Sequence, residues 1–133
     1  MGSESTMRTR VCKLLKKLDA QAVENRVGPG MPDICYIGGW IEAKYTASFP
    51  KRADSPVTLT HELLQTQKVW IKRHTRKGGI VRVLVQVSNE FFLLDGLWAC
   101  ENLGEVDRAT LTAGADLHCV GWPELALDLP DYL

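Results

Sequence analysis

Asp33, Glu42 and Lys44 are the residues of this 133-residue chain whose types and spacing best suit chemistry. Two carboxylates offer hard oxygen ligands, and a lysine ammonium can neutralise a developing negative charge. Magnesium takes such oxygen ligands, uses few protein carboxylates and keeps several waters. Beside a phosphodiester it polarises a phosphoryl oxygen and lowers the pKa of a bound water. Asp33 and Glu42 are the expected ligands, with the backbone carbonyl of Ala43 as a third. Lys44 would orient the attacking water or offset charge on the phosphate.

A β-hairpin is needed to bring them together. Gly38-Gly39 separates two apolar runs, Ile34–Ile37 and Trp40–Ala43. A Gly-Gly pair so placed signals a two-residue turn of type I′, which needs positive φ at both central positions. That turn sets Ile37 opposite Trp40, Cys35 opposite Glu42 and Asp33 opposite Lys44. Side chains alternate with period two, so Asp33, Cys35, Ile37, Trp40, Glu42 and Lys44 share one face. Ile34, Tyr36, Ile41 and Ala43 share the other, which suits packing under a helix. Asp33 and Glu42 become diagonal neighbours, their backbones roughly 7–8 Å apart.

Pro32-Asp33 followed by Glu42-Ala43-Lys44 resembles the signature of the PD-(D/E)XK nuclease superfamily. Gly28-Pro29-Gly30-Met31 and Gln67-Lys68-Val69-Trp70 are similar to its VRR-NUC and Holliday-junction-resolvase-like branch. The resemblance covers about residues 22–88 and says little about residues 97–133. It implies a metal-dependent endodeoxyribonuclease using Mg2+, with Mn2+ able to substitute, acting on DNA that is branched in part of the family. An acidic residue on the first helix often assists the metal in that family, which makes Glu4 a further ligand candidate. A first-turn glutamate favoured by the helix dipole is the plainer reading of Glu4. A homodimer would suit two coordinated cuts. The alternative function is a nucleic-acid-binding module of the same fold that is inactive or dependent on a partner chain.

Gln67 lies within the apolar stripe of a helix expected over residues 60–77. A polar side chain there needs a partner. Either it points into the site and holds water or phosphate, or it satisfies a nearby carbonyl. Its agreement with the family glutamine favours the catalytic set Asp33, Glu42, Lys44 and Gln67.

The formal net charge is zero, yet its distribution is uneven. Residues 44–82 hold nine basic side chains against two acidic, and residues 90–133 hold one basic against nine acidic. A local basic field attracts phosphates whatever the global total. The expected DNA-binding residues are therefore Tyr45, Lys51, Arg52, Lys68, Lys72, Arg73, Arg76 and Lys77, with Tyr45 suited to stacking on a base. His61, His74 and His118 show no metal-ligand spacing and read as ordinary histidines.

The length suits one domain, residues 1–133, with a core over about 4–95 and a capping or dimerisation segment over 97–133. No apolar run approaches a membrane span and no signal-peptide core is visible, so no membrane partner is expected. Cys12, Cys35, Cys100 and Cys119 lie far apart without Cys-x-x-Cys spacing. Reduced thiols predict a cytoplasmic setting, in a bacterial cell or a virus-infected host.

The elements follow from periodicity. Residues 4–18 read as an amphipathic helix with Met7, Val11, Leu14, Leu15 and Leu18 on one stripe and Arg8, Arg10, Lys13, Lys16 and Lys17 away from it. Residues 21–27 read as a strand and 45–58 as a loop. The helix over 60–77 would have Thr60 as N-cap, a stripe of Leu63, Leu64, Trp70 and Ile71, and a stop at Gly78-Gly79. Residues 80–87 read as a central strand, and 90–94 as another strand after a short Ser-Asn turn. The expected fold class is α/β: a restriction-endonuclease-like core (αβββαβ) with a central mixed β-sheet flanked by helices.

Overall fold

Ser3 opens the first helix. Its hydroxyl accepts the Thr6 amide at 3.0 Å, and helix α1 runs from Glu4 to Leu14. A 3-10 turn over Lys16–Leu18 follows, so the expected single helix over 4–18 is two pieces. Asp19 ends it in the left-handed region at φ 57°. The computed structural model describes residues 2–24 and 28–133. Strand β1 is only Gln21–Ala22: of the strand expected over 21–27, Val23 and Glu24 are irregular and 25–27 lie outside the described residues.

The chain then builds β2 (Ile34–Tyr36), β3 (Gly39–Thr46), helix α2 (Gln65–Arg76), β4 (Val81–Val87) and β5 (Glu90–Asp95). Helices α3 (Gly96–Asn102) and α4 (Arg108–Gly114), strand β6 (Leu117–Val120) and helix α5 (Trp122–Asp128) complete it. The architecture is α/β, with a six-stranded mixed sheet in the order β1-β2-β3-β4-β5-β6. β3 and β4 are parallel, joined through α2, and the other neighbouring pairs are antiparallel. Residues 97–133 thus do more than cap the sheet: they supply its edge strand and pack on both faces.

Period-two alternation divides the core. One face carries Val81, Val83, Val85, Val87, Phe92 and Leu94 and is covered by α2, α3, α4 and the 47–64 strap. The other carries Ile34, Tyr36, Ile41, Ala43, Phe91 and Leu93, packed against Met7 and Val11 of α1, Leu15 just beyond it and Leu125 of α5. Each such buried side chain stabilises by roughly 1.5–3 kcal/mol relative to exposure. The hairpin therefore packs its Ile34/Tyr36/Ile41/Ala43 face under a helix, as its alternation requires.

Two expectations are corrected here. The hairpin pairs Tyr36 with Gly39, Cys35 with Trp40 and Ile34 with Ile41. The turn is Ile37-Gly38, and neither Gly38 nor Gly39 has positive φ. Gly39 is the first residue of β3, and a Cβ there would lie 2.6 Å from the Ile80 carbonyl oxygen, so the close approach requires glycine. The shift is two residues on one strand, so side-chain faces are preserved.

The second correction concerns α2, which begins at Gln65 rather than residue 60. Residues 56–64 run as an extended strap that buries Val57, Leu59 and Leu63. Glu62 accepts the Leu59 amide at 2.8 Å, which favours this conformation over a helical turn. Leu64, not Thr60, is the N-cap, and it is exposed rather than part of the apolar stripe. At the other end the Gly79 amide reaches the His74 carbonyl and the Gly78 amide the Thr75 carbonyl, with Gly78 at φ 96°. This paired closure with a left-handed glycine ends the helix where expected.

Candidate active site

β3 places Glu42 and Lys44 on the α2 side of the sheet, level with the buried Val83 and Val85 of β4. One step beyond the Ile34–Ile41 pair, the observed register brings Asp33 alongside Glu42, nearer than the diagonal placement expected. Asp33, Glu42 and Lys44 are 5 %, 4 % and 3 % exposed. Asp33 Oδ1 accepts the Ala43 amide at 3.0 Å. The Ala43 group that meets a site side chain is thus its N–H, while its carbonyl was the group expected to serve a metal.

Burying charge is costly unless it is paired and hydrogen-bonded. Lys44 Nζ lies 3.6 Å from Glu42 Oε2 and donates to Gln67 Oε1 at 3.4 Å. Gln67 Nε2 donates to Glu42 Oε2 at 3.1 Å, and Gln67 Oε1 also accepts the Leu64 amide at 2.9 Å. One side chain thereby caps α2 and ties the helix to both charged groups of β3. The two readings of Gln67 coincide: it satisfies a local backbone group and faces the site.

These residues line a cleft of about 610 Å³ together with Glu4, Arg8, Thr60, His61, Glu62, Leu63 and Leu64. Glu4 comes from the first turn of α1. Burial pushes its carboxyl up, Lys44 and His61 pull it down, and Asp33 pushes it up again. Its Oε2 atom is buried and has no hydrogen-bond partner. Arg8, one turn later, lines the same cleft. His61 is there as well, although its spacing gave no sign of a site role. The signal that could have found Arg8 is its i,i+4 relation to Glu4.

The expected DNA-binding residues do not gather around the cleft. Tyr45 is on the opposite sheet face, half-buried against the α1 side. Lys51 and Arg52 are exposed on the strap, and Arg52 pairs with Asp54 at 3.2 Å. Lys68 lines a separate recess with Glu62 and Glu105. Lys72, Arg73, Arg76 and Lys77 are exposed along and beyond α2. From Gln67 to Lys77 the helix rise amounts to about 15 Å.

The cleft's donors are carboxylate oxygens, and one of them is buried without a partner. That set suits a hard cation such as Mg2+. A group with ligand atoms all within 4.8 Å of one another lies elsewhere: Cys119, Glu124 and Asp128. There Glu124 already accepts the Val120 amide at 2.9 Å, and burial pushes the Cys119 thiol up to about 11. All four cysteines are free thiols. Among the described residues no helix is long and apolar enough to cross a membrane. No protein-family model matches the chain, and a search of curated proteins finds no significant match.

Proposed function

We propose that the protein is a metal-dependent endodeoxyribonuclease with a restriction-endonuclease-like core, cutting phosphodiester bonds in DNA that includes branched forms. The observation that carries this reading is the joining of Glu42, Lys44 and Gln67 at 3.1–3.6 Å, with Asp33 and Glu4 in the same cleft. A binding surface has no need of a lysine and two carboxylates at this degree of burial, because burial of each ion opposes folding.

Asp33, Glu42 and Glu4 would hold Mg2+, or Mn2+ in its place. When bound, the ion polarises the phosphate and acidifies a coordinated water. The chain's own groups do the rest. Gln67 keeps the Glu42 carboxylate and the Lys44 ammonium in fixed relation. The Ala43 amide fixes Asp33. Lys44 is placed to stabilise charge that grows on the phosphoryl oxygens as the water oxygen bonds to phosphorus and the ester P–O bond breaks. The proton released by the water passes to solvent, and the departing oxygen gains one.

The test is incubation with linear and four-way-junction DNA, with and without Mg2+. Cleavage is expected only with metal, and its loss is expected in Asp33→Ala, Glu42→Ala and Lys44→Ala with DNA binding largely kept. Undiminished cleavage by these variants would refute the assignment. Two cuts by a dimer would place the enzyme with junction resolvases, and a single nick by a monomer with flap or nicking nucleases.

A further inference from the structure

We propose that Arg8 and His61 grip the phosphates adjoining the scissile bond, so that the substrate strand enters between α1 and the 60–64 end of the strap. The proposal rests on the nuclease reading and names the site's binding residues. Arg8 and His61 come from opposite elements, yet both line the cleft that holds Asp33, Glu42 and Lys44. Both are near enough to influence Glu4 electrostatically. Among the described residues, neither makes a hydrogen bond or an ion pair with a protein group.

An internal counter-charge would behave differently. If Arg8 were present to neutralise Glu4, the two would be paired. Instead Glu4 Oε2 has no partner, and Arg8 has the weakest pull of the groups acting on it. A half-buried arginine with its donors unused suits a doubly accepting oxyanion, and its planar fork matches two phosphate oxygens.

Among the described residues, the cations nearest the sheet are engaged or remote. Lys44 is held by Glu42 and Gln67, Arg82 by Asp116 and Arg108 by Glu90. Lys68 sits with Glu62 and Glu105. The basic end of α2 is about 15 Å along the helix from Gln67. Among the described residues, therefore, the cleft's donors left for substrate are Arg8 and His61.

The experiment measures anisotropy of labelled single-stranded and duplex oligonucleotides, with Ca2+ in place of Mg2+, and single-turnover cleavage with Mg2+. Arg8→Ala and His61→Ala are each expected to weaken binding about 10-fold, while the rate at saturating DNA stays within a few-fold of wild type. Arg8→Lys should recover part of the loss, which a merely structural role would not give. Arg8→Gln, matched to wild type by thermal melting, separates a folding defect from a binding one. Wild-type affinity in both alanine variants overturns the proposal and leaves the nuclease reading standing. Arg8-dependent binding without cleavage by wild type overturns the nuclease reading and supports the grip. A wild-type protein that binds neither oligonucleotide overturns both.

Discussion

Gln67 shows how much a single amide can organise. Its carbonyl oxygen takes the Leu64 N–H and the Lys44 ammonium, and its NH2 group reaches Glu42. Gln67→Leu keeps the volume and removes all three bonds, leaving buried charge less well satisfied. Stability should fall by about 1–3 kcal/mol, seen as a lower urea midpoint at unchanged slope. Cleavage should fall with it, since Glu42 and Lys44 lose their shared anchor. An unchanged midpoint would show that the amide does not support the site. A second prediction concerns Cys119, which is fully buried, with its thiol pushed up to about 11 from an ordinary 9.0 by burial and by Glu124 and Asp128. The folded state therefore holds the thiol proton more tightly than the unfolded chain. The resulting stability is complete below pH 9 and is lost as pH rises toward 11. Cys119→Ala should show a shallower loss of stability over that window in pH-dependent urea titrations. At this scale the residue types of the site were legible, because carboxylate and ammonium at hairpin spacing report their chemistry directly. His61 was not, because it reaches the cleft through a fold of the strap that no local pattern encodes, and Arg8 carried only its i,i+4 relation to Glu4.

Among the elements, the hairpin and α2 depend on close backbone approaches at glycine. Gly30 has φ 83°, and a Cβ there would lie 2.1 Å from the Thr66 carbonyl oxygen and 2.8 Å from the Gln67 amide nitrogen. The segment ahead of Pro32-Asp33 thus presses on the first turn of α2, beside Gln67. Gly30→Ala would strain its own backbone and push that turn away from β3. The variant is expected to lose about 1–3 kcal/mol of stability and to lose activity beyond what unfolding explains. Circular dichroism melts alongside cleavage rates would check this, and a variant that cuts like wild type would show that the contact yields without moving Gln67. The sequence singles out Gly28-Pro29-Gly30 by its family resemblance but does not show this contact, which joins residues distant in the chain. The same cause explains the hairpin. Gly38-Gly39 reads as a turn pair, yet Gly39 is required for the approach to Ile80, so the turn moves back to Ile37-Gly38. The two-residue shift preserved the faces, which is why the site and core sides were read correctly despite the wrong partners. For α2, the C-terminal stop was legible from local glycine chemistry. Its start was not, since Leu59 and Leu63 gain more from burial in the strap than from a helical turn.

Across the whole molecule, the mixed sheet and the division of its two faces were legible from the runs at 80–87 and 90–94 and from the alternation of the hairpin. The role of residues 97–133 was not, because a short edge strand with two helices before it carries little periodicity. Charge behaved similarly: the excess of basic residues over 44–82 is real, but folding leaves only Lys44 of them in the cleft and spreads the rest over the strap, α2 and its end, and β4. What the fold does concentrate is negative charge, with Glu4, Asp33 and Glu42 sharing one cleft with Lys44. A cation bound there favours the folded state by mass action, since the unfolded chain has no such site. Mg2+ at about ten times its dissociation constant would add about 1.4 kcal/mol, a rise of a few degrees in melting temperature for a chain of this size. Asp33→Asn and Glu42→Gln should melt at a temperature that Mg2+ does not change. Glu124→Gln, which alters the cluster with Cys119 and Asp128, should keep the wild-type response. If the shift instead survives in the first two variants and vanishes in the third, the cation is held at the C-terminal cluster, and the cleft is not where the metal acts.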